Sequence, residues 1–188
     1  MKKTFLALLI LIGCTEKNEP KKLDCNYNNW KTFSLYKNSG VVRIPEQLIE
    51  SKDTITRSFE PESTLLYMRR LATPDSLSSV SVKARIDSIS NKAFTKYNME
   101  VVNYYQFLFH YDGNSAIQQI DTSEGKRIFK FSFLGKRDSN NTAFGGAIFY
   151  LDKVRFEIFI TLNGHNFDSI QNKTNCILES LTINTGNH

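Results

Sequence analysis

The stretch from Phe144 to Leu162 constrains the fold most. Phe144 to Leu151 and Val154 to Leu162 are two long apolar-rich segments separated only by Asp152-Lys153. Alternation with period two is the signature of strands, and a two-residue polar break between them specifies an antiparallel hairpin. In the second segment Val154, Phe156, Ile158 and Ile160 fall on one face, which predicts an inner row with Arg155 and Glu157 outside. The pair Gly145-Gly146 within the first predicts a bulge or a close approach of another backbone.

The same reading extends outward from the hairpin. Ala116 to Asp121 and Lys126 to Leu134 form a preceding hairpin about Ser123-Glu124-Gly125, with Phe129, Phe131 and Phe133 on one face and Lys130 and Ser132 on the other. Gly135 to Asn141 reads as a polar loop between the two hairpins. Earlier strands are expected at Trp30 to Leu35, Val41 to Ile44, Ile55 to Phe59, Leu65 to Leu71 and Ser79 to Ile86. They are punctuated by Lys37-Asn38-Ser39-Gly40, Pro45 and Glu60-Pro61-Glu62-Ser63.

Two segments change to the helical period. Ala93, Phe94, Tyr97, Val101, Tyr104 and Leu108 share one face, predicting a helix from about Ile89 to Phe109 capped by Ser88 or Ser90 and closed by Asp112-Gly113-Asn114. Residues 99–109 also suit a strand, because Val101-Val102-Asn103-Tyr104-Tyr105 is rich in strand formers. Phe167, Ile170, Thr174, Ile177, Leu178 and Leu181 form the stripe of a closing helix, with Asn166 as its cap and Asp168 at its positive end. The expected layout is α+β, an antiparallel sheet packed against a long middle helix and a C-terminal helix.

The N-terminus has a different character. Lys2 and Lys3 precede an eight-residue apolar run, Phe5 to Ile12, too short to cross a bilayer as a mature helix of about 20 residues. A basic start, a short apolar core and a small residue at the cut describe an export signal. Leu11-Ile12-Gly13-Cys14 resembles the lipobox of bacterial lipoproteins. The resemblance implies diacylglyceryl attachment to Cys14 and cleavage before it. Residues 1–13 are then a signal peptide, 14–24 a lipidated tether and 25–188 a single domain. Two or three acyl chains on Cys14 make attachment to membrane lipid effectively permanent, since each buried methylene contributes about 0.8 kcal/mol. The implied location is the bacterial cell envelope, and Glu16 beside the anchor favours the outer membrane over the inner.

Lipid on Cys14 leaves Cys25 and Cys176 as a pair in an exported chain, where disulfides persist. Cys176 lies about 150° from the centre of the closing helix's apolar stripe, so it faces outward or towards whatever covers the helix. A Cys25–Cys176 disulfide would pin the entering chain over that helix. The alternative is two unpaired thiols, one half-buried and one mobile.

Chemistry is sparse. The formal charge of +5 becomes +3 without Lys2 and Lys3 and is scattered, unlike a nucleic-acid footprint. Cys25 and Cys176 do not have the short spacing of a zinc site. There is no Gly-x-Ser-x-Gly turn, His-Glu-x-x-His pair or phosphate-binding glycine loop. His110 reads as a half-buried edge residue and His165 as part of a helix-start loop. Glu60 and Glu62 flank a proline, and Asp138 to Asn141 read as a solvated loop. Tyr27, Trp30 and Tyr36 read as packing of the first strand, or as a stacking surface. No catalytic, cofactor or metal residue is expected, and His165 is the first alternative if there is catalysis.

The segments Phe144 to Leu151 and Val154 to Leu162, the ending Ile177-Leu178-Glu179-Ser180-Leu181, and Pro45 after an early strand resemble the PsbP/Mog1-like domain across most of Trp30 to Ile183. That family commonly closes with a Phe-Tyr strand, a Tyr-or-Phe-x-Ile strand and a helix finishing near Ser-Leu. The resemblance implies a membrane-anchored, non-catalytic binding or assembly module with a protein partner in the envelope. An inhibitor of an envelope toxin and an enzyme with an unrecognised site are the competing classes.

Overall fold

The structure is a computed structural model that describes residues 23–51, 64–86, 91–111, 113, 116–123 and 126–184, with the side chains of 91–95 excepted. The lipobox, Cys14 and its tether to Lys22, the strand expected at Ile55 to Phe59, the turn from Glu60 to Ser63 and the caps Ser88 and Ser90 lie outside the described residues.

Among the described residues ten strands and two α-helices follow in order: β1 Trp30–Ser34, β2 Gly40–Pro45, β3 Ile49–Glu50, β4 Thr64–Ala72, β5 Ser79–Ile86, α1 Asn91–Leu108, β6 Ile117–Ser123, β7 Lys126–Arg137, β8 Asn140–Leu151, β9 Val154–Asn163, α2 Phe167–Glu179 and β10 Thr182–Ile183, with a short 3-10 turn at Tyr36–Asn38. Among the described residues they form a seven-stranded sheet, β3-β4-β5-β9-β8-β7-β6, and a three-stranded sheet, β1-β2-β10. Every pairing is antiparallel. After β5 the chain crosses through α1 to the far edge, and the meander β6 to β9 walks back until β9 pairs with β5. The fold is α+β but dominated by its sheets. The middle helix has 18 residues, Asn91–Leu108, shorter than the long helix expected from about Ile89 to Phe109.

Both faces of the large sheet are covered, which the period-two pattern alone could not reveal. On one face Val80, Val82, Ile128, Phe149, Phe156, Ile158 and Ile160 pack against Ile170, Ile177 and Leu178 of α2 and against Phe33, Val42 and Ile44 of the small sheet. On the other face Phe129, Phe131, Phe133, Phe144, Ile148 and Phe159 pack against Val102 and Tyr105 of α1 and Phe109 just beyond it. Arg155 and Glu157 therefore do not face solvent. They lie on the α1 side, 0% and 3% exposed. Their charges meet there: Arg155 Nε is 2.8 Å and Arg85 Nε 3.8 Å from the Glu157 carboxylate, and Tyr97 donates its hydroxyl to Glu157 at 3.0 Å.

Residues 99–108 are helical, but the buried face is rotated from the one expected. Asn98 and Val102 are fully buried and Phe109 nearly so, whereas Tyr104 and Leu108 are about half exposed and Phe107 is 83% exposed. Gly135 to Asn141 is not a loop. β7 and β8 continue in register to Arg137↔Asn140, closed by Asp138 and Ser139 at positive φ, as a two-residue hairpin turn requires. The paired glycines mark close approach with no break in register. A Cβ on Gly145 would stand 2.5 Å from Thr174 Cγ2 of α2, and one on Gly146 would stand 2.7 Å from the Phe131 ring.

Candidate functional site

A groove of about 670 Å³ opens between the β6–β7 edge and α2. Three distant segments build it. Cross-strand pairing sets Ile117 opposite Ser132, Gln119 opposite Lys130 and Asp121 opposite Ile128, so these side chains share the α2 side of the sheet. Asn172, Asn175 and Glu179, at spacings of three and four, lie on one face of α2. Leu23 and Asp24 of the entering chain form the third wall.

α2 is held in place by the signals its sequence carries. Asn166 accepts the backbone N–H of Ser169 at 2.9 Å as an N-cap, and Thr174 lies against Gly145. The entering chain is fixed to α2 through Cys25 and Cys176, joined with Cα atoms 5.5 Å apart. Tyr27 adds a hydrogen bond from its hydroxyl to the Cys176 carbonyl at 3.0 Å. Burial pushes the Tyr27 hydroxyl pKa above its ordinary value, against the pull of the Arg43 guanidinium over its ring. Cys176 is 3% exposed because the entering chain covers it, although it lies off the apolar stripe.

The electrostatics of the groove centre on Lys130. Its side chain is 8% exposed, and its ammonium lies 2.8 Å from Asp121 and 3.2 Å from Glu179. Those carboxylates remain 38% and 43% exposed. Ser132 donates to Asn175 Oδ1 at 2.8 Å, and Gln119 donates to Asp121 at 3.2 Å. The site is thus an amide-lined channel with its cation sunk and its anions accessible. Such a surface can accept hydrogen bonds and attract positive charge.

The other candidate residues are elsewhere and are not gathered together. His110 is exposed, not half-buried, in the turn after α1 with φ +46°. His165 is exposed in the loop before α2, and its carbonyl accepts from Asn141. Asp138 and Ser139 make the β7–β8 turn. Trp30 packs edge-on to Tyr27, while Tyr36 pairs with Tyr67, so the three aromatics do not form one stacking platform. Among the described residues no group of three or more His, Cys, Asp or Glu could hold a metal ion. No helix among them is long and apolar enough to cross a membrane.

Sequence reasoning missed the groove. The available signals were Lys130 and Ser132 interrupting an apolar strand, and the polar trio Asn172, Asn175 and Glu179 flanking Cys176.

No protein-family model and no curated protein sequence matches the chain. Solved structures do. The solution structure of cyanobacterial PsbP (CyanoP) from Synechocystis has a TM-score of 0.53 at 10% identity, covering 83% of this chain and 93% of its own. The Ran-binding protein Mog1p of Saccharomyces cerevisiae has a TM-score of 0.46 at 11% identity, covering 82% of this chain and 95% of its own. A protein from Bacteroides thetaiotaomicron has a TM-score of 0.45 at 12% identity, and this chain spans 50% of it. The likeness to CyanoP shows a PsbP-like fold.

Proposed function

We propose that this chain is a lipid-anchored protein of the bacterial envelope whose PsbP-like domain is a non-catalytic binding or assembly module. The partner is a protein received at the β6–α2 groove. The observation that carries the reading is the placement of that groove where the entering chain is fastened to the fold. Leu23 and Asp24 line it, and Cys25 is bonded to the adjacent helix. The 11 residues from Cys14 to Asp24 reach at most about 40 Å when extended. A lipid on Cys14 would therefore hold the groove within that distance of a leaflet, where an envelope partner is met. The outer membrane is the proposed location. Within the groove the Lys130 ammonium is held between two carboxylates that keep an accessible side, an arrangement suited to recognition rather than proton transfer.

Two experiments test this. Changing Cys14 to Ala should leave uncleaved precursor without lipid label, and normal processing with membrane retention would refute the anchor. A photo-crosslinking amino acid at Gln119, in the full chain in intact cells, should give a discrete protein adduct. The adduct should disappear when Ile117→Lys places a cation in the groove. An adduct unchanged by Ile117→Lys, or no adduct, counts against the groove as the binding site. Turnover of an envelope substrate abolished by one side-chain change would overturn the non-catalytic reading.

A further inference from the structure

Resting on the reading of the groove as a protein-binding site, we propose its mode and the chemistry of its occupant. β6 receives an extended, basic segment of the partner as an additional strand.

The edge itself is the first observation. β6 ends the seven-stranded sheet among the described residues, and every second residue of an edge strand turns its N–H and C=O away from the sheet. Edges are ordinarily blunted by proline, bulges, charges or extreme shortness. The opposite edge, β3, has two residues. β6 has seven, Ile-Gln-Gln-Ile-Asp-Thr-Ser, with no proline or glycine and with unbroken register against β7. Asp121 is its one ionisable residue. Ile117 and Ile120 are 44% and 47% exposed, and pairing with Ser132 and Phe129 places them on opposite faces. An added strand would therefore find apolar contact on either side of the sheet.

Charge selects the occupant. Asp24 and Glu179 line the groove with Lys130, Asp121 pairs with that lysine at the rim, and Lys126 opposite Ser123 is a second cation at the end of β6, a local balance of −1 in a chain whose formal charge is +5. Because Lys130 is sunk and its two carboxylates are accessible, an approaching segment meets negative charge. Side chains of an incoming strand alternate between faces, so Lys or Arg at every second position would line the groove side. A second copy of this chain is a poor occupant, since antiparallel β6–β6 pairing would bring Asp121 of each copy into the same acidic edge.

The test uses the disulfide-intact mature chain and a seven-residue peptide alternating Lys and Val, with a Glu and Val peptide as control. Backbone amide exchange is followed over residues 117–123. The basic peptide should slow exchange there about tenfold, and the protection should fade in about 0.5 M salt. The acidic peptide should do nothing. Ile117→Lys should abolish the effect. Asp121→Asn, which leaves Lys130 paired with Glu179, should weaken it. No protection at about 1 mM basic peptide overturns the proposal. So does equal protection by the acidic peptide, or protection that grows with protein concentration in the absence of peptide, which would mean pairing between copies. If the Gln119 crosslink captures a partner sensitive to Ile117→Lys while the basic peptide leaves β6 unprotected, strand addition fails and the binding-module reading stands.

Discussion

Arg155 is wholly buried beneath α1 with its Nε 2.8 Å from Glu157 Oε1. Glu157 is the carboxylate that two buried guanidiniums share, with Arg85 3.8 Å away and the Tyr97 ring 4.3 Å from the Arg155 guanidinium carbon. Removing one partner of a buried ion pair strands the other charge in low dielectric. Changing Glu157 to Gln should therefore destabilise the domain by about 3–5 kcal/mol. The exposed Lys96–Glu100 pair on the outside of α1 should give less than about 0.5 kcal/mol when broken. Urea unfolding of the two variants measures the contrast, and equal midpoints would show that the buried cluster is not integral to the fold.

Close packing of α2 on the sheet depends on Gly145. A methyl group there meets Thr174 Cγ2 at 2.5 Å with Leu178 Cδ1 at 3.4 Å. Changing Gly145 to Ala should cost about 1–3 kcal/mol through overpacking. Thr174→Ser removes the obstructing methyl and retains an oxygen able to reach the Ile170 carbonyl, which Thr174 meets at 2.9 Å. The double variant should recover part of the loss. Strict additivity in the double-mutant cycle would mean that the helix simply shifts away.

These two sites mark the boundary of what the sequence makes legible. The β8–β9 hairpin and the α2 stripe follow from local periodicity, because each has one unambiguous apolar row. Arg155 and Glu157 sit on the alternate row of β9, which looks solvent-facing until a second layer covers it. That layer is α1, whose inner face is not the one its helical period predicts. Val101, Val102, Tyr104, Tyr105, Phe107 and Leu108 put apolar side chains on every side of the last turns of α1, so periodicity alone does not select Val102 and Tyr105 over Tyr104 and Leu108. The inward side even includes Asn98, whose amide atoms are buried with no hydrogen-bond partner among the described residues. The loop expected at Gly135 to Asn141 is strand because its polar residues lie at the end of the hairpin, where the sheet outruns its core. The groove was invisible for a different reason. Its walls come from residues near positions 24, 117–132 and 172–179, and only tertiary packing brings them together.

Two exposed carboxylates report on their local hydrogen bonds. Asp75 accepts from Thr73 Oγ1 at 2.5 Å and from the Leu77 N–H at 3.0 Å, and the Thr73 bond chiefly holds its pKa below the ordinary carboxylate value. Glu50 is lowered by its paired contacts with Arg69, two bonds of 2.8 Å. A folded-state pKa below the unfolded one adds stability above the unfolded value, and that contribution is lost as pH falls through the folded value. The Thr73–Ser78 turn and the β3–β4 contact should therefore hold down to pH values beneath the usual carboxylate range and loosen only below it. Carboxyl carbon shifts followed by NMR titration check this. Thr73→Val should return Asp75 towards ordinary behaviour and leave Glu50 unchanged.

The Cys25–Cys176 bond closes a loop with a sequence separation of 151 residues, nearly the whole domain. In the chain-entropy model a loop of this size stabilises by roughly 5 kcal/mol, and measured gains are often smaller. Cys25→Ser should therefore lower the unfolding free energy by several kcal/mol, about 5 at most, and reductant should do the same to the wild type while leaving the variant unchanged. Its effect on the groove should be local. Leu23 and Asp24 would lose their covalent fastening to α2, while Tyr27 would keep its hydrogen bond to the Cys176 carbonyl and its contacts with Trp30 and Arg43. Amide exchange should accelerate at residues 23–27 before it does in β8 and β9, whose protection derives from the sheet. The bond itself is checked by alkylation and mass spectrometry of the mature, unreduced protein. Cys25 and Cys176 should react only after reduction, and modification of either without reductant would refute the link.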